Sequence, residues 1–340
     1  MSELIKLNLA ETLAALGETL LNPSEELLQM IDHERQFNAW FTPESVLQAV
    51  QAIGKMLNYN DLERWLPASS NAVFTGKKIG LVLAGNIPLV GFHDVLCTLV
   101  SGHFAMIKAS ANDSRLISYI LKQLVLLEPE FANRYEFTER LAGFDAVMAT
   151  GSNNTSRYFE YYFGKVPNII RKNRNSLAVL FGEESEADLQ KLGHDIFDYF
   201  GLGCRSVSKV LVPQGYDFGK LFRAIEVFQP IINHHKYNNN YDYNKSIYLV
   251  NQYPHLDNGF LLLKQDEKIA SPLAVLFYDS YADLDEVNLK LNQHQEAIQC
   301  VVSNLQLTAN VQVVGFGESQ HPKLWDYADG VNTLVFLQSV

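Results

Sequence analysis

Cysteine usually hides in apolar cores. In FGLGCRSVSKVLVP, residues 200–213, Cys204 instead stands in a glycine turn, between Gly203 and the pair Arg205–Ser206. A helix-like run precedes it and a strand-like run follows. A thiol on such a turn is open to close approach by a ligand, and the neighbouring guanidinium favours the thiolate, the form that attacks carbonyl carbon. The plainer alternative is a small residue filling a tight turn. Cys97 in DVLCTLV and Cys300 in AIQCVVS lie inside apolar runs and read as core.

Three further polar points stand where strand patterns end: Gly85–Asn86, Lys108–Ser110 and Thr150–Gly151–Ser152. Parallel α/β sheets bind ligands at their carboxyl edges, so three such tips outline one crevice. Ordinary strand-ending turns explain any one of them alone. No GxGxxG is present, so the usual dinucleotide fingerprint is missing. His234 and His235 are adjacent; in an extended segment they point to opposite faces and read as a surface loop, and no metal site is expected. His93–Asp94, at the start of a core helix, reads as packing and capping.

Elements of a definite kind must carry these residues. KKIGLVLAG (77–85) is the near-continuous apolar run of a buried parallel strand. Helix 88–102, strand 104–110, helix 112–127, strand 145–152 and helix 153–164 continue the alternation. A second series follows, with strand 176–182, helix 185–200, strand 206–213 and strand 271–278. Such alternation predicts two doubly wound α/β lobes. Residues 1–70 are helix-rich, with a helix opening at Thr42–Pro43–Glu44. The Asn/Tyr tract HHKYNNNYDYNK (234–245) reads as a surface loop. The expected division is 1–174 for a helical N-terminus and dinucleotide-binding lobe, 175–310 for a catalytic lobe, and 311–340 for a segment returning to the first lobe.

At 340 residues with 47% hydrophobic and 19% charged residues, the chain reads as soluble and globular. No apolar run approaches the ~20 residues of a membrane span, and the acidic, helical N-terminus lacks the basic start of a signal peptide. Three cysteines without a CxxC pair argue against a disulfide framework or a structural zinc, so a reducing cytoplasm is the default compartment. A net charge of −11 disfavours nucleic acid as a partner.

Taken in order, LAGNIPL, MIKAS, MATGS, a helix and FGLGC resemble the aldehyde dehydrogenase superfamily, and the short length resembles its LuxC-like branch, the fatty acyl-CoA reductases of bacterial bioluminescence operons. The likeness covers roughly residues 77–215, with a weaker match at SPLAVLF. It implies an aldehyde dehydrogenase-like fold with Cys204 as nucleophile. Asn86 would donate to the oxyanion beside the backbone N–H of Cys204. Lys108 and Ser110 would hold the adenosine ribose, and Gly151 and Ser152 would lie by the pyrophosphate. The resemblance further implies an acyl-CoA substrate, NADP(H) in preference to NAD(H), and a chain able to form a homo-oligomer. Asn86, Lys108, Gly151 and Cys204 are then expected to line one cleft.

Two departures sharpen that expectation. Hydrolytic members of the superfamily carry a water-activating glutamate where this chain reads RKNRNS (171–176), without a carboxylate. A second family glutamate corresponds to Lys268, with Glu267 adjacent, before Ala270–Ser271–Pro272. Without a base to activate water, reduction of a Cys204 thioester is favoured over its hydrolysis. The alternatives are an aldehyde or semialdehyde dehydrogenase using another base, and a non-catalytic acyl- or nucleotide-binding protein on the same scaffold.

Overall fold

Helix ends in this chain are written in side chains that replace missing backbone partners. The computed structural model describes residues 3–66 and 76–340. Four helices come first: α1 (Glu3–Leu21), α2 (Glu25–His33), α3 (Pro43–Met56) and α4 (Tyr59–Trp65). Ser24, Thr42 and Asn58 accept from the third backbone N–H beyond them, and Pro43 occupies the first turn of α3 as expected. Of the helix-rich stretch 1–70, residues 1, 2 and 67–70 lie outside the described residues.

The alternating series follows as β1 (Lys78–Val82), α5 (Phe92–Val100), β2 (Phe104–Lys108), α6 (Ser114–Leu127), β3 (Tyr135–Phe137), β4 (Ala146–Thr150), α7 (Asn153–Phe163) and β5 (Asn168–Arg171). These strands form one parallel sheet in the order β3-β2-β1-β4-β5. The order reverses beside β1, because β2 lies on one side of it and β4 on the other. That is the switch point of a doubly wound sheet. Ile79 and Leu81 are fully buried in a core shared with α5 and α6.

Within the next stretch the elements are β6 (Asn175–Val179), α8 (Glu186–Phe197), β7 (Val207–Pro213), α9 (Phe218–Ile225), α10 (His235–Val250), β8 (Leu256–Asp257), β9 (Leu262–Gln265), β10 (Val275–Tyr281), α11 (Leu284–Gln293), β11 (Ile298–Val302) and β12 (Val313–Val314). Their sheet runs β12-β11-β6-β7-β10-β9-β8, parallel except for the β8–β9 pair. Alternate residues of its strands enter two cores. Ala178, Leu180, Val210 and Val212 pack with α8 and α9, whereas Leu177, Val179 and Leu211 pack with α11. Ser185 and Asp188 open α8 with reciprocal side-chain bonds to the backbone.

A last helix, α12 (Thr333–Gln338), returns to the first sheet's helices and packs on α5. Contacts divide the chain into Met1–Asn173 with Pro322–Val340, and Arg174–His321. The return begins at Pro322 and not at 311, because Val313 and Val314 pair with β11 and Asp195 of α8 holds residues 317–319. Arg174 falls in the second unit, where it donates to the Ile298 carbonyl at 3.2 Å.

One expected loop is a helix. The Asn/Tyr tract forms most of α10, because Tyr237, Tyr241, Asn244 and Tyr248 recur at helical spacing and bury one face. The Tyr237 hydroxyl donates to the Phe260 carbonyl at 3.0 Å, and Asn244 donates to Leu273 at 2.9 Å. His234 and His235 do not point to opposite faces. His234 caps α10, its Nδ1 accepting from Tyr237 N, and the two rings stack with centroids 5.2 Å apart. No helix among the described residues is long and apolar enough to cross a membrane.

Asp94 departs from the capping role read for it. It forms a buried ion pair with Arg171 of β5, and Arg171 also donates to Thr333 Oγ1 of α12 at 3.3 Å. Removing one partner of a buried pair strands the other's charge, which costs about 3–5 kcal/mol, whereas a well-packed apolar replacement of both is far milder. Arg171→Ala and Asp94→Ala should therefore each lower the urea midpoint substantially, and Asp94→Leu/Arg171→Met should recover most of the loss. Single variants within about 1 kcal/mol of the parent chain would show that the pair does not hold the strand, helix and returning segment together.

Candidate active site

The carboxyl edge of the first sheet gathers five of the residues singled out above. Register sets Val82, Lys108 and Ala149 in one row, so the chain leaves β1, β2 and β4 at the same level. Leu83 N donates to the Lys108 carbonyl at 3.1 Å, extending the β1–β2 pairing by one bond before the Gly85–Asn86 turn begins. A Cβ on Gly85 would overlap Ser110, so the first and second tips touch only because residue 85 lacks a side chain. Asn86, Lys108 and Ser152 are exposed, and Ser110 and Gly151 are half-buried.

Gly151 and Ser152 occupy the third tip, beside the switch point. Ser152 Oγ accepts from Thr155 N at 3.2 Å and opens α7, whose positive end faces the edge. A Cβ on Gly151 would lie 2.8 Å from Phe159 and 3.1 Å from Thr155. A glycine cradle at the foot of a helix, next to the reversal of strand order, is the geometry that receives a pyrophosphate. The tips reach this geometry without the GxGxxG pattern. Among the described residues no group of three His, Cys, Asp or Glu is placed to hold a metal ion.

Cys204 belongs to the second unit, at the amino end of β7 and therefore at the opposite edge of its own sheet. It is half-buried, whereas Cys97 and Cys300 are buried as read. The turn before it is built from three consecutive left-handed residues, Tyr199 (φ 53°), Phe200 (φ 58°) and Gly201 (φ +75°). Such a conformation costs roughly 1–2 kcal/mol for each residue that is not glycine, so surrounding contacts must impose it. Buried Tyr199 and the Phe200 ring, 4.4 Å from that of His234, supply them.

Three hydroxyl and amide groups then fix the cysteine turn. Ser176 Oγ, fully buried at the start of β6, donates to the Cys204 carbonyl at 3.0 Å. Its single proton is thereby used, so towards Cys300, whose N–H and Sγ lie 3.3 and 3.1 Å away, it is an acceptor. Ser206 Oγ accepts from Gly203 N at 3.2 Å and from Gln320 Nε2 at 3.3 Å. Gln320 is held in turn by the preceding residues, since Asp195 accepts from Gly317 N at 2.7 Å and Ser319 N at 2.9 Å.

Arg205 also has partners that its place beside Cys204 does not reveal. Its guanidinium donates to Gln312 at 3.2 Å and stands against Cys300, whose thiol burial pushes up and Arg205 partly restrains. Sequence adjacency does not show this, because Gln312 lies 107 positions away. Ser176, Ser206 and Gln320 were missed too; only the turn's need for backbone partners signals them.

The segment after β9 carries Glu267 and Lys268, both exposed. Lys209 of β7 holds it from beneath, donating to the carbonyls of Asp266 and Glu267 at 2.9 Å each, and Ser208 donates to Ile269 at 2.8 Å. Burial pulls the Lys209 ammonium below the usual lysine range. Arg171, first residue of RKNRNS, is turned onto Asp94, and the last, Ser176, holds the cysteine turn.

A family model for acyl-CoA reductase (LuxC) matches residues 18–217, more than half of the chain, including Asn86, Lys108, Ser110, Gly151, Ser152 and Cys204. The chain belongs to the acyl-CoA reductase (LuxC) family. It is an aldehyde-related oxidoreductase. Among curated proteins no relative matches the sequence. Solved structures match its fold across nearly the whole length. Aldehyde dehydrogenase 21 from Physcomitrella patens, in complex with the reaction product succinate, is 12% identical with a TM-score of 0.65, covering 98% of this chain and 84% of its own. A Mycobacterium tuberculosis aldehyde dehydrogenase complexed with NAD+ is 13% identical with a TM-score of 0.62, covering 91% and 77%. An acetylating aldehyde dehydrogenase from Geobacillus thermoglucosidasius is 10% identical with a TM-score of 0.59, covering 93% and 83%. The fold of this LuxC-family chain is therefore aldehyde dehydrogenase-like.

Asp195 gives the family member's cysteine turn a pH-dependent support. Burial raises its carboxyl to about 6, against which the bonds from Gly317 and Ser319 act. A raised folded value means that the folded chain binds the proton more tightly than the unfolded one, so this contribution is full below about pH 4 and is lost as pH rises through about 6. Asp195→Asn removes that titration. The stability difference between Asp195→Asn and the parent chain should thus shift in favour of the variant by roughly 2–3 kcal/mol between pH 4 and 7. A difference that is flat across this window, measured by urea unfolding, would refute the assignment.

Proposed function

We propose that this LuxC-family chain reduces an acyl-CoA to the aldehyde, with Cys204 as the acyl carrier. The observation that carries the direction of reaction is the segment 171–176. Where hydrolytic relatives of the fold place a water-activating glutamate, this chain has a buried arginine on Asp94 and a serine on the Cys204 carbonyl, and no carboxylate.

In this reading the Cys204 thiolate attacks the acyl-CoA carbonyl, and the tetrahedral oxyanion takes a hydrogen bond from the Asn86 amide and one from the Cys204 N–H. A donor of this kind is worth roughly 3–4 kcal/mol at comparable sites. The oxyanion collapses, CoA thiolate leaves, and the acyl group stays on Cys204 as a thioester. The reduced nicotinamide supplies hydride when bound. Asn86 again receives the oxyanion of the resulting thiohemiacetal, and expulsion of the Cys204 thiolate releases the aldehyde. Ser176, Ser206 and Gln320 keep the turn from shifting as the sulfur changes partners.

Lys108 and Ser110 would hold the adenosine ribose, and Gly151 and Ser152 the pyrophosphate. NADP(H) is the proposed cofactor, because the tip after β2, Lys108–Ala109–Ser110–Ala111–Asn112, carries a cation and no carboxylate to claim a ribose 2′-hydroxyl. A reducing compartment suits the thiol, and the cytoplasm is the proposed one.

Mixing the protein with acyl-CoA alone should release a stoichiometric burst of CoA, followed by very slow release of fatty acid, since general-base help to water is typically worth 10²–10⁴-fold and is missing. Adding NADPH should discharge the same intermediate as aldehyde. Cys204→Ala should bind cofactor and form no acyl-enzyme by intact mass. Sustained fatty-acid release without cofactor would instead favour a hydrolytic enzyme whose base is Glu267, and an acylated Cys204→Ala protein would remove the nucleophile assignment.

A further inference from the structure

Asp113 occupies the N-cap position of α6, where an aspartate ordinarily accepts from the helix's own first-turn N–H groups, yet its side chain makes no such bond. It is turned inward, only 5% exposed. Oδ2 accepts from Leu89 N at 2.8 Å in a buried bond, and Oδ1 has no partner among the described residues. A carboxyl placed this way forgoes a cap and its own hydration, so the fold must gain elsewhere.

The gain lies in the turn it reaches. Leu89 is a buried residue in the left-handed region, φ 59°, three positions after Asn86. A leucine does not adopt that backbone unaided. Upstream, the same turn is tied to β2 by Leu83 N on the Lys108 carbonyl and by the Gly85–Ser110 contact. Asp113 N also donates to the Ser110 carbonyl at 3.1 Å. Both ends of the Asn86 turn are thus anchored on one place, the tip of the second strand.

We propose that Asp113 is a positioning residue for Asn86, hooking the turn that carries it to the β2 tip where Lys108 and Ser110 would hold the cofactor. The proposal rests on the reading of Asn86 as oxyanion donor. Burial, with the charge of Glu34 nearby, raises the Asp113 carboxyl well above the usual carboxylate range. Glu34 is itself paired with Arg115 at 2.9 Å. An amide keeps both the length of the side chain and the oxygen that accepts from Leu89 N, so asparagine is the conservative replacement.

Asp113→Asn, Asp113→Ala, Asp113→Ser and Asn86→Ala are compared with the parent chain by the rate of the CoA burst from acyl-CoA alone, by the KM for acyl-CoA, and by amide exchange of the peptide spanning residues 84–92. Asp113→Asn keeps the acceptor oxygen for Leu89 N and should keep the burst rate within about threefold. Asp113→Ala should slow it by roughly ten- to a hundredfold, the scale of a small misplacement of a reacting group, with the KM little changed and faster exchange in the peptide. Asp113→Ser separates the hook from stability, because serine can cap α6 but is too short to reach Leu89; it should fold well and still be slow. Asp113→Ser or Asp113→Ala with parental burst rates and parental exchange would overturn the proposal. Parental rates in Asn86→Ala would instead overturn the oxyanion reading, and the exchange measurement would still decide whether Asp113 holds the turn.

Discussion

A parallel strand paired on both sides must turn the chain at its carboxyl end with no hairpin to help, and β1 meets that constraint between β2 and β4. Its two neighbours belong to different halves of the winding, so the connections on either side run away from each other and leave the edge open between them. Everything placed in the first unit as a ligand contact stands on that edge. Asn86 follows β1, Lys108 ends β2 with Ser110 just beyond it, and Gly151 and Ser152 follow β4. The turns are compact because two glycines let neighbouring segments touch, at Gly85 against Ser110 and at Gly151 against Phe159 and Thr155.

The second unit solves a different problem. Its nucleophile candidate lies before a strand, at an amino edge, where no switch point offers an open crevice. Position is secured there by backbone bonds to buried hydroxyls and by three left-handed residues in succession. In the proposed reaction the open edge would take a cofactor that comes and goes, and the braced turn would hold a sulfur in place through two tetrahedral intermediates.

Much of this was legible in the chain. Strands such as 77–85 and 104–110 announce themselves as apolar runs, although β1 ends at Val82 and β2 at Lys108, because periodicity does not distinguish the last paired residue from the turn beyond it. The polar tips were found as pairs and triplets on neighbouring strands. What escaped depends on residues far apart in sequence. Asp94 pairs with Arg171 across 77 positions, and Ser176 reaches Cys204 across 28. The tract 234–245 escaped for another reason: its tyrosines bury their rings while their composition looks polar, so hydropathy hides an amphipathic helix. Arg205 belongs with the distant pairs, since its bond to Gln312 spans 107 positions.

The burial of two thiols out of three has a practical meaning. Cys97 and Cys300 are each 0% exposed, and burial drives both away from the thiolate form, Cys300 through the core beneath the cysteine turn and Cys97 within α5. Cys204 is the half-buried one. The native chain is thus its own single-site labelling reagent: a maleimide fluorophore or a nitroxide added to the folded protein is directed to one sulfur without any cysteine having to be removed, and the probe so attached reports from the turn itself.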